Sequence, residues 1–303
     1  MPESPPQIID PHFHLWSLAN PYPWLTQQPP PIKVAGNPAP LAVDHLVADY
    51  IAEMAAVGVT RGVHVDAGWD YADPVGETAW LQSVADDPAS LGFPHGIVAR
   101  ASLDQPDVEA VLDAHMAHAN LRGIRHIVNW HPDPDNTYIQ VPDLMDHESF
   151  RRGFAALAPR GLSFDLQCYP GQFDQALRLA DDFPATHIIL NHAGMPVDRT
   201  PEGFAHWCAG LAALAQRPNV SVKISGLGML DWNWTVGSLR PYILTTIDCF
   251  GPKRAMFASN FPVDRLYSTA DTLYAAFRQV VADFSADDRQ ALFHDTACRV
   301  YRL

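Results

Sequence analysis

Cysteine is scarce in this chain, and the spacing of the few cysteines excludes two kinds of structure. The four cysteines, Cys168, Cys208, Cys249 and Cys298, lie about 40 residues or more apart, and none belongs to a C-x-x-C pair. This spacing argues against a structural zinc knuckle and against a disulfide framework. We therefore expect reduced cysteines and a cytoplasmic protein.

Positive charge and long apolar runs are also lacking. The chain has 20 Lys plus Arg against 34 Asp plus Glu, a formal net charge of −14, and no basic block. Such a protein is a poor partner for nucleic acid or for an anionic membrane. No apolar run reaches the roughly 18 residues of a membrane-spanning helix, and the start, MPESPPQ, lacks the features of a signal peptide. The expected partner is a small-molecule substrate.

Three well-known catalytic signatures are missing. The chain contains no G-x-S-x-G elbow, no P-loop and no H-E-x-x-H pair. These absences disfavour a Ser-His-Asp hydrolase, a P-loop nucleotide hydrolase and a helix-borne zinc protease.

What is present is a large apolar fraction arranged in a regular alternation. Hydrophobic residues make up 48% of the 303 residues, and 27 prolines favour ordered loops over a helical bundle. Short β-branched runs alternate with stretches of helical periodicity. The eight predicted strands are Gln7–Asp10, Arg61–Asp66, Gly92–Ala99, Leu121–Val128, Leu162–Cys168, His187–Asn191, Val220–Ile224 and Ala255–Ala258.

This alternation predicts an α/β fold, a distorted (β/α)₈ TIM barrel that forms a single domain over residues 1–303. A doubly wound open sheet is the alternative, and it is less favoured because no Gly-rich phosphate loop follows the first strand.

Three long loops rich in proline and aromatic residues follow strand ends, where barrel enzymes place their sites. They span residues 15–40, 129–147 and 226–237. We expect them to line a substrate pocket through Trp16, Trp24, His131 and Trp232. In the alternative interpretation these side chains plug the barrel mouth or form an oligomer contact, such as a homodimer interface.

Histidines at strand ends are the first candidates for chemistry. His12 and His14 are two residues apart, so both imidazoles project to the same side of the first strand. His192 stands where another apolar strand ends. Such imidazoles suit metal ligation or polarisation of a carbonyl group. By contrast, we interpret His126 as structural, and we expect four histidines in helices to be solvated: His45, His115, His118 and His206.

Two cations lie in otherwise apolar strands. Burial of Lys223 or Arg125 costs several kcal/mol unless each charge is paired. Each therefore predicts either a protein partner or an anionic group of the substrate. After the last strand come Asn260, which cannot act as a general base, and Asp264, which can.

Six segments, in order along the chain, resemble one family. They are IIDPHFHLW, GIRHIVNWHPDP, LNHAGMP, VKISGL, MFASNFPVD and TACRVYRL. Together they resemble the amidohydrolase-2 branch of the amidohydrolase superfamily. The resemblance is strongest to its lactonase-like members, which include sugar-acid lactonases and 2-pyrone-4,6-dicarboxylate lactonase.

The resemblance implies a hydrolase that opens a small lactone, carboxylated or sugar-derived, by attack of water on the ring carbonyl. It assigns His12, His14 and His192 to the active site and places Arg125 and Lys223 near the substrate. The chain departs from the pattern at Asn260, where many relatives have an aspartate that takes the proton of the attacking water. The metal-bridging lysine of the wider superfamily has no clear counterpart.

Several alternatives stay open on the sequence alone. His12, His14 and His192 could hold one divalent metal such as zinc, or no cofactor is required. Without metal, His192 or His14 is the base and Asn260 positions the water, or Asp264 is the base. A decarboxylase or hydratase of an aromatic or dienoic acid is the second enzyme class, and a non-catalytic ligand-binding barrel is the third interpretation.

Overall fold

The computed structural model describes residues 7–303, so the first six residues of the segment MPESPPQ lie outside the described residues. Eight parallel strands follow one another in sequence order around a single sheet. They are β1 (Ile8–Phe13), β2 (Val59–Val65), β3 (Gly96–Arg100), β4 (Leu121–Ile127), β5 (Ser163–Gln167), β6 (Ile188–Leu190), β7 (Val220–Ile224) and β8 (Ala255–Phe257).

The sheet closes at its carboxyl end, next to the candidate site. Just after β8, the amide of Asn260 donates to the carbonyl of His12 (2.8 Å), and the amide of His14 donates to the carbonyl of Phe261 (2.8 Å). These bonds join the end of the last strand to the first. The prediction of a single-domain (β/α)₈ barrel is confirmed, and the doubly wound alternative is wrong.

Helices pack around the barrel, apart from the last one, which caps its amino-terminal end. They are α1 (Pro23–Thr26), α2 (Val47–Met54), α3 (Gly76–Asp86), α4 (Val108–His115), α5 (Glu148–Ala155), α6 (Phe173–Asp182), α7 (Pro201–Ala215), α8 (Val236–Phe250), α9 (Ala270–Val280), α10 (Ala286–Gln290) and α11 (Thr296–Tyr301). In the part of the chain from residue 7 onward, no helix has the length and apolarity to cross a membrane.

The barrel interior changes character along its axis. Its amino-terminal part is an apolar cluster that α11 caps through Val300 and Tyr301; the strand members of this cluster are Ile9, Val63, Val65, Val98, Ile189 and Met256. The carboxyl-terminal part is polar. Barrel enzymes have their sites at this end because the loops there can vary without disturbing the packed interior.

An irregularity in β1 sets which side chains face inward. The pairing of β1 with β2 shifts register between Asp10 and Phe13. A bulge of this kind changes the alternation of side chains. Ile9, which precedes the shift, and His12, which lies within it, both face the barrel interior. The carboxylate of Asp10 instead accepts from the hydroxyls of Tyr50 (2.8 Å) and Ser259 (2.5 Å).

Gly153 in α5 packs closely against the main chain of Leu103, in the loop after β3. A Cβ atom at Gly153 would lie 2.0 Å from the carbonyl oxygen of Leu103. We expect Gly153→Ala to destabilise the fold by about 2 kcal/mol, although alanine is the better helix former. Gly237 in α8 is the matched control, because its Cβ would meet only Thr235, at 3.6 Å. Gly237→Ala should leave urea unfolding unchanged or raise stability; an equal loss in both variants would contradict this account.

Candidate active site

Three histidines meet at the carboxyl end of the barrel. The ring of His12 lies 5.0 Å from that of His14 and 4.6 Å from that of His192, measured between ring centres. All three side chains are buried. A Cβ at Gly226 would lie 2.5 Å from Nδ1 of His192, so only glycine fits beside this imidazole. The structure therefore brings together the three histidines that strand-end position singled out.

The hydrogen bonds of His14 define which of its nitrogens carries the proton. Its Nδ1 lies 2.7 Å from the carbonyl oxygen of Val65. Because a carbonyl only accepts, Nδ1 is protonated and Nε2 of the neutral ring is an acceptor. Burial lowers the pKa of His14 to about 4, so the ring is neutral at pH 7. Nε2 faces Oδ1 of Asn260 at 3.3 Å.

His12 has the opposite arrangement. The ammonium of Lys223 lies 3.4 Å from Nδ1 of His12, and Lys223 is itself bound to Asp165 at 2.5 Å. An ammonium only donates, so Nδ1 of His12 accepts and Nε2 carries the proton. Burial, with the charge of Lys223, lowers the pKa of His12 and keeps the ring neutral. Among the described residues, Nε2 of His12 has no hydrogen-bond partner.

Both cations predicted to need partners have them in the protein. Asp165 bonds Lys223 and also accepts from the hydroxyl of Tyr301 at 2.9 Å. Arg125 donates to Asp66 at 3.1 Å. Although burial opposes ionisation of Asp66, the Arg125 guanidinium holds the pKa of that carboxyl below its usual value. The need for a charged partner is thus met without a substrate anion.

Asp66 and Asp165 were missed as site residues in the sequence. Asp165 lies within an apolar strand and Asp66 directly follows one, so both stand among apolar residues like the lysine and arginine they bind, and that placement was a usable signal. Gln167, two residues after Asp165 in β5, accepts from Arg125 at 3.0 Å. It therefore takes part in the same polar layer of the barrel.

Asn260 and Asp264 form a pair beside His14. Nδ2 of Asn260 donates to Oδ2 of Asp264 at 2.5 Å. Both side chains are buried, and Asn260 has a left-handed backbone (φ 58°), which asparagine tolerates better than most residues. Burial raises the pKa of Asp264 to about 7.

The tryptophans expected to contact substrate differ in exposure: Trp16 is buried, Trp24 is half-buried and Trp232 is exposed. Trp16 is buried, its Nε1 donates to Val43 (2.7 Å), and it packs edge-on against Trp24. Nε1 of Trp24 donates to the carbonyl of Ala67 (2.7 Å). These contacts match the alternative in which the first loop plugs the barrel mouth. Trp232, by contrast, is 55% exposed.

His131 lines a cavity of about 570 Å³ outside the three histidines, where its ring packs edge-on against Tyr169 at 5.7 Å. Tyr169 also belongs to a small cluster with Met195 and Met229. Since Nδ2 of Asn260 lies 3.5 Å from the sulfur of Met229, this cluster contacts both the cavity, through Tyr169, and the buried site, through Met229.

Two histidines expected to be solvated are buried instead. His45 precedes α2 and pairs with the main chain of Trp16, and its Nδ1 lies 3.1 Å from Arg265. His115 lies between Thr78 (2.9 Å) and the carbonyl of Arg100 (3.0 Å). The expectation that these two histidines would be solvated on helix surfaces was wrong, because tertiary contacts bury both. The other two are His118, which is half-buried, and His206, which is exposed. His126 is structural as expected, since it accepts from the amide of Leu103 (3.2 Å).

With this geometry established, comparison with known proteins identifies the family. The amidohydrolase family profile matches residues 9–303, and the chain belongs to that family. It is therefore an enzyme of a hydrolase family, as the six segments predicted.

Three similar proteins illustrate the match. An uncharacterized protein, y4mH, of Sinorhizobium fredii is 49% identical over 297 residues, covering 98% of each chain. An L-fucono-1,5-lactonase of Burkholderia multivorans is 29% identical over 310 residues, covering 97% of this chain and 96% of the relative. A crystal structure of an amidohydrolase from B. multivorans with bound zinc has a TM-score of 0.81 at 28% identity, covering 98% and 99% of the two chains.

The bound zinc of that structure raises the question of whether the histidines here suit a metal. A metal ligand must offer a lone pair, but the Lys223 ammonium makes Nε2 of His12 a protonated nitrogen. Over residues 7–303, no group of three or more His, Cys, Asp or Glu side chains is arranged to hold a metal ion. The donor set in this chain does not fit zinc.

The buried pair of Lys223 and Asp165 can be tested directly. Both side chains have 0% exposure. Lys223→Met leaves the Asp165 carboxylate buried without its cation, and we expect a loss of about 3–5 kcal/mol in the free energy of unfolding. Urea titration measures it, with the exposed Lys253→Met as the matched control. A double variant, Lys223→Met with Asp165→Leu, should recover part of the loss; a Lys223→Met protein as stable as the control would contradict the pairing.

Proposed function

We propose that this protein is a lactonase that opens a small, sugar-derived lactone by attack of water on the ring carbonyl. One observation carries the proposal. A protonated Nε2 on His12 and an unprotonated Nε2 on His14 belong to adjacent buried rings, 5.0 Å apart between centres. Ester hydrolysis needs such a donor for the developing oxyanion and such an acceptor for the proton of water.

In this mechanism the carbonyl oxygen of the lactone accepts from Nε2 of His12. Water attacks the carbonyl carbon and passes a proton to Nε2 of His14. The tetrahedral oxyanion is stabilised by His12, with His192 beside it at 4.6 Å between ring centres. When the ring C–O bond breaks, protonated His14 returns its proton to the departing alkoxide. Burial strengthens each of these interactions because water is excluded from the site.

The charges around the site favour a neutral lactone over a carboxylated one. The two buried cations, Lys223 and Arg125, are each bound to a carboxylate of the protein. The protein as a whole carries a net charge of −14. A substrate carboxylate would therefore meet no free cation among these groups, whereas hydroxyls suit imidazole and amide partners. The L-fucono-1,5-lactonase of B. multivorans supports the same substrate class. A cytoplasmic location is part of this proposal.

The test is acid release from a lactone panel, followed with a pH indicator. The panel pairs neutral aldonolactones with pyrone-carboxylate lactones. We expect turnover of at least one neutral aldonolactone, unaffected by chelator. Changing His12 or His14 to Gln should lower kcat by about 10²-fold or more, while His118→Gln, outside the site, should not.

Two results would count against the proposal. Silence of the folded wild type across the whole panel would remove the lactonase assignment. Unchanged turnover in the His12 and His14 variants would show that the site has been placed wrongly.

A further inference from the structure

The amide of Asn260 is held in one orientation by its neighbours. Nδ2 donates to Asp264 at 2.5 Å and lies 3.5 Å from the sulfur of Met229, so both hydrogens of the amide face acceptors. Oδ1 consequently points to His14. The main chain fixes the pair as well, since the amide of Asp264 donates to the carbonyl of Asn260 at 3.1 Å.

Asp264 fits at this position because Gly228 leaves room for it. A Cβ at Gly228 would lie 2.8 Å from Oδ1 of Asp264. Within the described part of the chain, Oδ1 has no side-chain partner, so the strong contact of this carboxylate is the one to Asn260. The chain has thus placed a buried carboxylate where its main effect is on one amide.

The amide oxygen and the imidazole nitrogen form an unusual contact. Oδ1 of Asn260 and Nε2 of neutral His14 are both acceptors, 3.3 Å apart. Two acceptors repel unless a donor serves both of them. A water molecule has two hydrogens and can donate one to each acceptor, which leaves its lone pairs free to face a carbonyl carbon.

We propose that Asp264 is a positioning residue that holds Asn260 so that its Oδ1 and Nε2 of His14 together bind and orient the attacking water. This inference rests on the proposed function. It divides the task that the resemblance gives to a single aspartate in relatives: His14 takes the proton of the water, and the pair of Asn260 and Asp264 orients the water.

The proton balance of this arrangement is complete. A lone pair of the water oxygen forms the bond to the acyl carbon, and one O–H bond breaks as its proton moves to Nε2 of His14. The new imidazolium then donates to Oδ1 of Asn260, and the Asp264 carboxylate lies across the amide from this positive charge. As the ring C–O bond breaks, the same proton passes from Nε2 to the leaving oxygen.

The arrangement requires the carboxylate form of Asp264. Burial raises the pKa of Asp264 to about 7, so the carboxylate forms as the pH rises through that value. Below it, a protonated Asp264 can donate to Asn260, and the amide can turn its NH₂ group toward His14. The groups that face Asp264 are Asn260 on its own turn, Gly228 from the loop after β7, and the ring of Tyr267. Burial raises the pKa of Tyr267, which leaves its phenol neutral.

The experiment measures kcat and KM of three variants from pH 5.5 to 9 on a lactone that the wild type hydrolyses. Asp264→Asn keeps an acceptor for Asn260 but loses the charge. In the wild type we expect kcat to fall below about pH 7 as Asp264 is protonated; this fall is called the acid limb. We expect Asp264→Asn to lower kcat about tenfold with little change in KM, and to abolish the acid limb. Asp264→Ala loses both acceptor and charge, and we expect about a 100-fold loss in kcat.

The third variant exchanges the two residues. Asn260→Asp with Asp264→Asn keeps one amide and one carboxylate but places the carboxylate next to His14. We expect it to recover about tenfold of the kcat lost in Asp264→Ala, with the acid limb shifted to another pH. If Asp264 had a purely structural role, the exchange variant would neither recover kcat nor change the pH at which kcat falls. Asp271→Asn, on the exposed first turn of α9, is the control for loss of a carboxylate.

The outcomes separate this inference from the proposed function. If the wild type hydrolyses a lactone and folded Asp264→Asn matches it in kcat and in pH profile, the inference is wrong and the lactonase proposal stands. If the wild type hydrolyses no lactone, the lactonase proposal and the inference that rests on it are both wrong. Should Asp264→Ala fail to fold, Asp264→Asn and the exchange variant decide the question.

Discussion

The buried ion pair between Lys223 and Asp165 is the interaction on which the rest of the site depends. It joins β7 to β5 at 2.5 Å inside the barrel, and Tyr301 from the carboxyl-terminal helix bonds the same carboxylate. The ammonium bound by Asp165 then faces Nδ1 of His12 at 3.4 Å and directs the proton of that ring to Nε2. A pair that is costly to bury in isolation thereby sets which nitrogen of the proposed oxyanion donor, His12, carries the proton. The same contact explains why the histidine cluster does not suit zinc.

Closure of the barrel supplies the second half of the site. The main-chain bonds from Asn260 to His12 and from His14 to Phe261 join the end of β8 to β1, both at 2.8 Å. These bonds bring the Asn260 amide next to His14, whose own tautomer is fixed by the carbonyl of Val65 in β2. Donor and acceptor are therefore defined by different strands, and the closed sheet holds them together. The arrangement proposed for catalysis follows from the tertiary fold more than from any single motif.

The sequence predicted the parts of this arrangement that depend on local pattern and on the rules of barrel architecture. All eight strands were found because apolar runs alternate with helical periodicity, and His192 was selected because it ends one of those strands. Contacts between distant residues could not be read this way. Asp165 lies 58 residues from Lys223, and nothing local marks the two as partners. His45 and His115 were misjudged for the same reason, since their burial comes from Trp16, Arg265, Thr78 and Arg100.

In the proposed site, two neighbouring neutral histidines carry their protons on different nitrogens, and long-range ¹H–¹⁵N NMR of the imidazole rings measures this most directly. Signals of His12 and His14 can be assigned with His→Gln variants at pH 8, where both rings are neutral because burial lowers their pKa values. We predict protonated Nε2 in His12 and protonated Nδ1 in His14. The same tautomer in both rings would contradict it, because the site would then lack either its oxyanion donor or its proton acceptor.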